Sequence, residues 1–142
     1  MIDIGCKSKS ELGRALSNFH NWGFTFDGIE CKSIESVLQS FKFQDIEEQK
    51  RMCGRWSNWA KKFGYKGDTW KENQILYWKG KEYPRMSKDY HRLLYRLFKT
   101  CFTQIEEARE LLLKTGDEQL KHTMGKSNPR AVSYTHLTLP TN

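Results

Sequence analysis

The 142-residue chain carries 24 basic and 17 acidic side chains, a net charge of +7, with 37% hydrophobic, 13% aromatic and 29% charged residues. That is enough apolar material for one core and too much for a disordered or fibrous chain. The longest apolar run, Ile75-Leu76-Tyr77-Trp78, is far short of the ~20 residues of a membrane span, and residues 1–10 lack the apolar centre of a secretory signal, so a cytoplasmic protein is expected.

From Gly23 to Cys31 the pattern predicts a hairpin: Phe24 and Phe26 alternate with Thr25, Asp27-Gly28 supplies a two-residue turn, and Ile29 to Cys31 returns. Ser33 then caps one helix running to about Met52, with Ile34, Val37, Leu38 and Phe41 inward and Gly54 as its stop. A second helix is predicted over Ser57 to Phe63, ending at Gly64, then a turn from Tyr65 to Asp68 and a short helix from Thr69 to Trp78. Trp56, Trp59 and Trp70 read as packing residues. Gly80 and Pro84 mark a connecting loop before the best amphipathic helix, Ser87 to Phe102, whose inward face is Tyr90, Leu93, Leu94, Leu97, Phe98 and Cys101. Ile105 to Lys114 continues as a helix closed by Gly116, and Asp117 opens a last short helix reaching His122. The stretch Ser133 to Asn142 fits neither element and reads as translated adaptor sequence. We therefore expect a single domain over residues 1–130, truncated at its C-terminus, and a non-native tail over 131–142.

The cysteines at 6, 31, 53 and 101 form no C-x-x-C pair and read as reduced, mostly buried thiols. The histidines at 20, 91, 122 and 136 form no ligand motif, so neither a bound metal nor a cofactor is expected.

Three residues on the predicted helix after Ser33 could act together. Glu35, Gln39 and Lys42 are separated by four and then three positions, which places an acid, an amide and an amine in one narrow arc. Glu35 lies in the first turn, where the helix dipole favours the carboxylate; that suits it to stabilising positive charge or orienting water rather than to donating a proton. The same spacing also describes an ordinary exposed polar face. Asn18 could equally cap a turn, and Phe19 could equally belong to the core. Arg85, Lys88, Arg92, Arg96 and Lys99 recur at helical spacing, with solvated surface as the default reading for all but Arg85. Arg85 follows Trp78 and Tyr83 at a helix start, a combination suited to a diphosphate and a base.

Leu16-Ser17-Asn18-Phe19, the hairpin, Ser33-x-Glu35-x-x-x-Gln39-x-x-Lys42-Phe43, Ala60-Lys61-Lys62-Phe63-Gly64 and Leu111-Leu112-Leu113-Lys114-Thr115-Gly116-Asp117 together resemble the NADAR family. These are NAD- and ADP-ribose-associated proteins that include the YbiA-like N-glycosidases. The resemblance spans about Leu16 to Lys126. It implies a mainly α, single-domain α+β fold with a small β-hairpin, and a pocket for phosphoribosyl or ADP-ribosyl compounds. The implied reaction is cleavage of an N-glycosidic bond, on ADP-ribosylated guanine in nucleic acid or on an early riboflavin-pathway intermediate; a non-catalytic ADP-ribose or nucleotide reader is the alternative. By the same resemblance, Glu35 and Lys42 are catalytic, and Ser17, Asn18, Phe19 and Gln39 line the substrate pocket. Trp78, Tyr83, Arg85, Tyr90 and His122 are the further substrate-binding candidates. The chain departs from many relatives in having Arg85-Met86 where a tryptophan precedes the long helix, and His122-Thr123-Met124-Gly125-Lys126 where an acid and a Trp-Gly pair are usual.

Overall fold

The computed structural model describes residues 2–3, 21–114, 120–121 and 136–137. Strand β1 is Ile2–Asp3. The predicted hairpin is present as β2 (Phe24–Phe26) and β3 (Ile29–Cys31), with Phe24, Phe26, Ile29 and Cys31 buried and the alternate positions Thr25 and Glu30 exposed. Asp27 and Gly28 take φ of 49° and 80°, the left-handed pair that a twisted two-residue hairpin needs.

The single helix expected from Ser33 to Met52 is two helices. Helix α1 covers Ile34–Ser40 and α2 covers Ile46–Cys53, each with its own side-chain cap, Ser33 on Ser36 N–H and Asp45 on Glu48 N–H. The interruption is held from across the fold. Tyr77 N–H donates to Phe41 C=O at 2.7 Å. The fully buried Gln49 donates to Phe43 C=O at 2.8 Å and Tyr77 C=O at 3.0 Å, while accepting from Lys79 N–H at 3.2 Å. Backbone groups freed by the break are thus satisfied by side-chain and strand partners, which a continuous helix would have left without that role.

Helix α3 (Ser57–Gly64) runs into a 3₁₀ turn (Tyr65–Gly67), as the sequence suggests. The expected helix from Thr69 to Trp78 is shorter: α4 covers only Trp70–Asn73 and ends at Gln74 with φ of 60°. Beyond it, β4 (Ile75–Trp78) and β5 (Lys81–Pro84) form a second hairpin where a loop was expected. Its turn, Lys79-Gly80, has φ of 49° and 88°, the same geometry as Asp27-Gly28 with a residue that seldom announces it.

Helix α5 (Lys88–Gln104) buries the full predicted stripe of Tyr90, Leu93, Leu94, Leu97, Phe98 and Cys101 against Ile34, Val37, Leu38 and Phe41 of the α1 segment and against both hairpins. Burying a side chain of this size contributes roughly 1.5–3 kcal/mol relative to leaving it in water, so this face is a substantial part of the core's stabilisation. Helix α6 (Glu106–Leu113) follows as expected. The helix expected from Asp117 to His122 is not formed at its described positions. There β6 (Leu120–Lys121) pairs in parallel with β1 and antiparallel with β7 (His136–Leu137). The architecture is mainly helical with small β elements in one domain. Among the described residues, no helix is long and apolar enough to cross a membrane.

Candidate active site

Every residue of α1 is buried, so Glu35 and Gln39 are not on the exposed polar face their spacing also allowed; Lys42, expected on the same helix, lies just past its end and is partly buried. Glu35 is 6% exposed and Gln39 9%. A carboxylate removed from water is costly unless partnered. Here the Gln39 amide, one turn along, donates from Nε2 to Glu35 Oε1 at 2.7 Å, and the first-turn position adds the favourable end of the helix dipole. Ser33 holds that first turn in register: its extended backbone leaves Oγ to accept from Ser36 N–H at 3.1 Å. Ser36 Oγ in turn donates to Arg55 C=O at 2.8 Å, tying α1 to the segment that leads into α3.

The end of α3 and the 3₁₀ turn lie directly on the stripe. A Cβ added at Gly64 would collide with Gln39 Oε1, and one at Gly67 would sit 2.6 Å from Lys42 Cβ. Only glycine permits this approach at both positions. Gln39 Oε1 has no hydrogen-bond partner among the described residues, so the amide is fixed by Glu35 on one side and by packing on the other.

Just past α1, Lys42 pairs with Asp68 at 3.2 Å, its side chain 14% exposed. Burial pulls its proton affinity below that of an ordinary lysine; Asp68 and the more distant Glu35 carboxylate oppose this without overcoming it. Glu35 is thus near enough for its charge to act on Lys42. Asp68 also pairs with Lys71 at 3.5 Å.

The remaining candidates divide. Arg85, just past β5, is 3% exposed; burial lowers its proton affinity, and the nearby Tyr90 opposes that shift. Tyr90 packs on Tyr83 at 6.5 Å and edge-on against Phe41 at 6.2 Å, so it joins Arg85 to the residue preceding Lys42. Trp78 does not meet Arg85. It pairs with Lys81 at the turn of the β4–β5 hairpin, whereas Pro84 and Arg85 stand at the hairpin's far end. The Trp78 ring is buried between Phe26 and Phe41, at 5.4 Å and 5.3 Å, and its Nε1 donates to Asp27 at 2.7 Å. Ser17, Asn18, Phe19 and His122 lie outside the described residues.

Asp68, Gly64 and Gly67 are the members that sequence reasoning missed. The Gly64-x-x-Gly67-Asp68 run was a visible signal, since two small residues and an acid in one turn favour close backbone approach, but nothing in its spacing points to position 42. A separate cleft of about 440 Å³ is lined by Gly23, Thr25, Glu30, Lys32, Gly54 and Gln104 among others, with no member of the stripe. Gln104 spans it by exchanging hydrogen bonds with the Thr25 backbone at 2.8 Å and 2.7 Å, which marks it as a structural seam. Among the described residues, no group of three or more His, Cys, Asp or Glu is arranged to hold a metal ion.

Comparison with known proteins gives three results. A family model described as bacteriophage protein GP30.3 matches residues 12–139. An uncharacterised 17.1 kDa protein from the Gp30-rIII intergenic region of Enterobacteria phage T4 is 29% identical over 110 residues, covering 78% of this chain and 72% of that protein. The NMR structure of the E. coli protein YbiA superposes with a TM-score of 0.56 at 20% identity, covering 86% of this chain and 67% of YbiA. The last is a likeness of fold.

Proposed function

The chain belongs to the bacteriophage protein GP30.3 family and has a YbiA-like fold, and from that premise we propose that it is an N-glycosidase of the NADAR type. Its substrate is an ADP-ribosyl or phosphoribosyl adduct, with ADP-ribosylated guanine in nucleic acid preferred. The observation that carries the reading is the buried Glu35 carboxylate, held by Gln39 at 2.7 Å and within electrostatic reach of Lys42. A buried, hydrogen-bonded acid at a position that an apolar side chain could fill is a candidate for a functional role.

The chemistry follows from that placement. As the C–N bond breaks, the anomeric carbon gains oxocarbenium character, which a fixed carboxylate stabilises while it orients the attacking water. Lys42 supplies either an ammonium for the ribose phosphate or, once deprotonated, an amine that attacks the opened sugar aldehyde. The net charge of +7 favours an anionic substrate at long range.

The test is to incubate the protein with a guanine-ADP-ribosylated oligonucleotide, and separately with a riboflavin-pathway aminopyrimidine ribose phosphate. Release of unmodified guanine supports the preferred substrate, and consumption of the small compound alone supports the alternative. Tight binding of ADP-ribose with turnover of neither substrate would identify a reader and overturn the enzymatic reading.

A further inference from the structure

Trp56 and Trp59, expected inside, are 51% and 46% exposed, whereas Trp70 is buried as expected. With Phe63, at helical spacing from both, they form an aromatic face along α3. Cations sit directly on these rings. Lys32 Nζ lies 4.6 Å from the Trp56 ring, Lys62 Nζ 5.0 Å from Trp59, and the Arg55 guanidinium 4.7 Å from Phe63, with Lys66 Nζ at 5.6 Å on the same ring. Trp59 and Phe63 stack at 5.9 Å with planes 18° apart. Residues 55–67 contain four basic side chains and no acidic one. The nearby acids are engaged: Glu48 with Arg51 and Arg55, and Asp68 with Lys42 and Lys71.

We propose that this face binds single-stranded nucleic acid, with unpaired bases stacking on Trp56 and Trp59 and the phosphates taken by Lys32, Arg55, Lys62 and Lys66. Large exposed rings offer sequence-tolerant stacking, and flexible lysines that cover them in the free protein can swing onto phosphates as bases take their place. A lipid surface fits less well. An interfacial helix separates an apolar face from a charged one, whereas here each ring carries its own cation and α3 has only eight residues.

The position of the face gives it a purpose. Gly64 and Gly67, at its C-terminal end, are the residues that abut Gln39 and Lys42. A strand lying along α3 therefore runs toward the turn that packs on Gln39 and Lys42, which brings an adducted strand near the stripe. This link rests on the N-glycosidase reading; strand binding itself does not.

The experiment is fluorescence anisotropy of a labelled oligothymidine of about fifteen nucleotides, which carries no adduct, with the wild type, Trp56→Ala/Trp59→Ala and Lys62→Glu/Lys66→Glu. Circular dichroism confirms that each variant is folded. The wild type is expected to bind, with log affinity falling against log salt at a slope of about −2 to −3 for three or four phosphates. The tryptophan pair should weaken binding by about tenfold or more, and charge reversal should weaken it and flatten the salt slope. Absence of wild-type binding, unchanged affinity in the tryptophan variant, equal affinity for duplex, or binding to phosphatidylglycerol vesicles in place of the oligonucleotide would each overturn the proposal. Base release from an adducted oligonucleotide without oligothymidine binding would leave the enzymatic reading standing and remove this one.

Discussion

Gly64 and Gln39 fit together with no room for a side chain between them: a Cβ on Gly64 would occupy the space of Gln39 Oε1. Because the same amide donates to Glu35, the backbone of α3 sets the orientation of a carboxylate on α1. The site is therefore defined by the packing of two helices, and its geometry should be sensitive to a single methyl group.

Gly64→Ala should accordingly displace the Gln39 amide and break its bond to Glu35. We expect a loss of stability of about 1–3 kcal/mol from overpacking, together with a fall in base release larger than the unfolded fraction explains. Gly54→Ala is the control, since its Cβ would meet only backbone oxygens at 3.6 Å. Thermal melts and activity measured on both variants decide it; equal tolerance at the two positions would mean that the Gln39 contact is soft.

The lowered proton affinity of Lys42 has a definite sign in stability. Its native pKa lies below the ordinary 10.5, so the unfolded chain binds the extra proton between those two values and Lys42's contribution to stability improves as pH rises through that interval. Wild type should therefore gain on Lys42→Met in urea melts as pH rises toward the ordinary lysine value of 10.5. Asp68→Asn should depress the lysine further, because it removes the main group that opposes the shift. A higher midpoint in that variant, read by NMR of the dimethylated lysine, would contradict the assignment.

The same burial favours the nucleophilic role for Lys42, since desolvation raises the fraction of free amine. If the amine attacks the opened sugar aldehyde, the adduct loses water to an imine, and borohydride delivers hydride to that C=N bond, leaving a stable secondary amine. We expect mass spectrometry after turnover in borohydride to find the sugar on Lys42. Full turnover with no trapped adduct would assign Lys42 to binding the phosphate as an ammonium.

Asp27 joins the two hairpins to the long helix, accepting from Trp78 Nε1 at 2.7 Å and pairing with Arg96. Burial pushes its pKa up, but the Arg96 and Trp78 donors together outweigh burial and hold it below the usual 3.8. The stabilisation is thus complete above that value and is lost as pH falls through the lower native pKa. Asp27→Ala should cost about 1–3 kcal/mol near neutral pH. Asp27→Asn should cost less, because asparagine tolerates the left-handed backbone and keeps an acceptor. The gap between wild type and Asp27→Asn should close in acid; a constant gap would mean that the ion pair adds nothing.

What the sequence revealed follows from the range of the forces involved. The Ser33 cap, the Asp27-Gly28 turn and the Tyr90-to-Cys101 stripe are local patterns, and each predicted its element. The split between α1 and α2 was hidden because its cause is Gln49 reaching Tyr77 and Phe43, a set of contacts that no helical period encodes. The second hairpin was hidden because Lys79 fills a left-handed position usually signalled by Asn, Asp or Gly. In the site, helical spacing aligned Glu35 with Gln39, whereas Lys42 lies just past the end of α1, and Asp68 and the two glycines reach them only through tertiary packing. Trp56 and Trp59 failed the usual expectation for aromatics, and that failure is what draws attention to their surface.

The most direct test of the central claim is single-turnover release of guanine from an ADP-ribosylated oligonucleotide by the wild type and by Glu35→Gln, with binding of the modified strand measured on both. The account predicts release by the wild type and a fall of at least about a hundredfold in the variant, with strand binding retained. No release by the wild type, or release by Glu35→Gln at the wild-type rate, would contradict it.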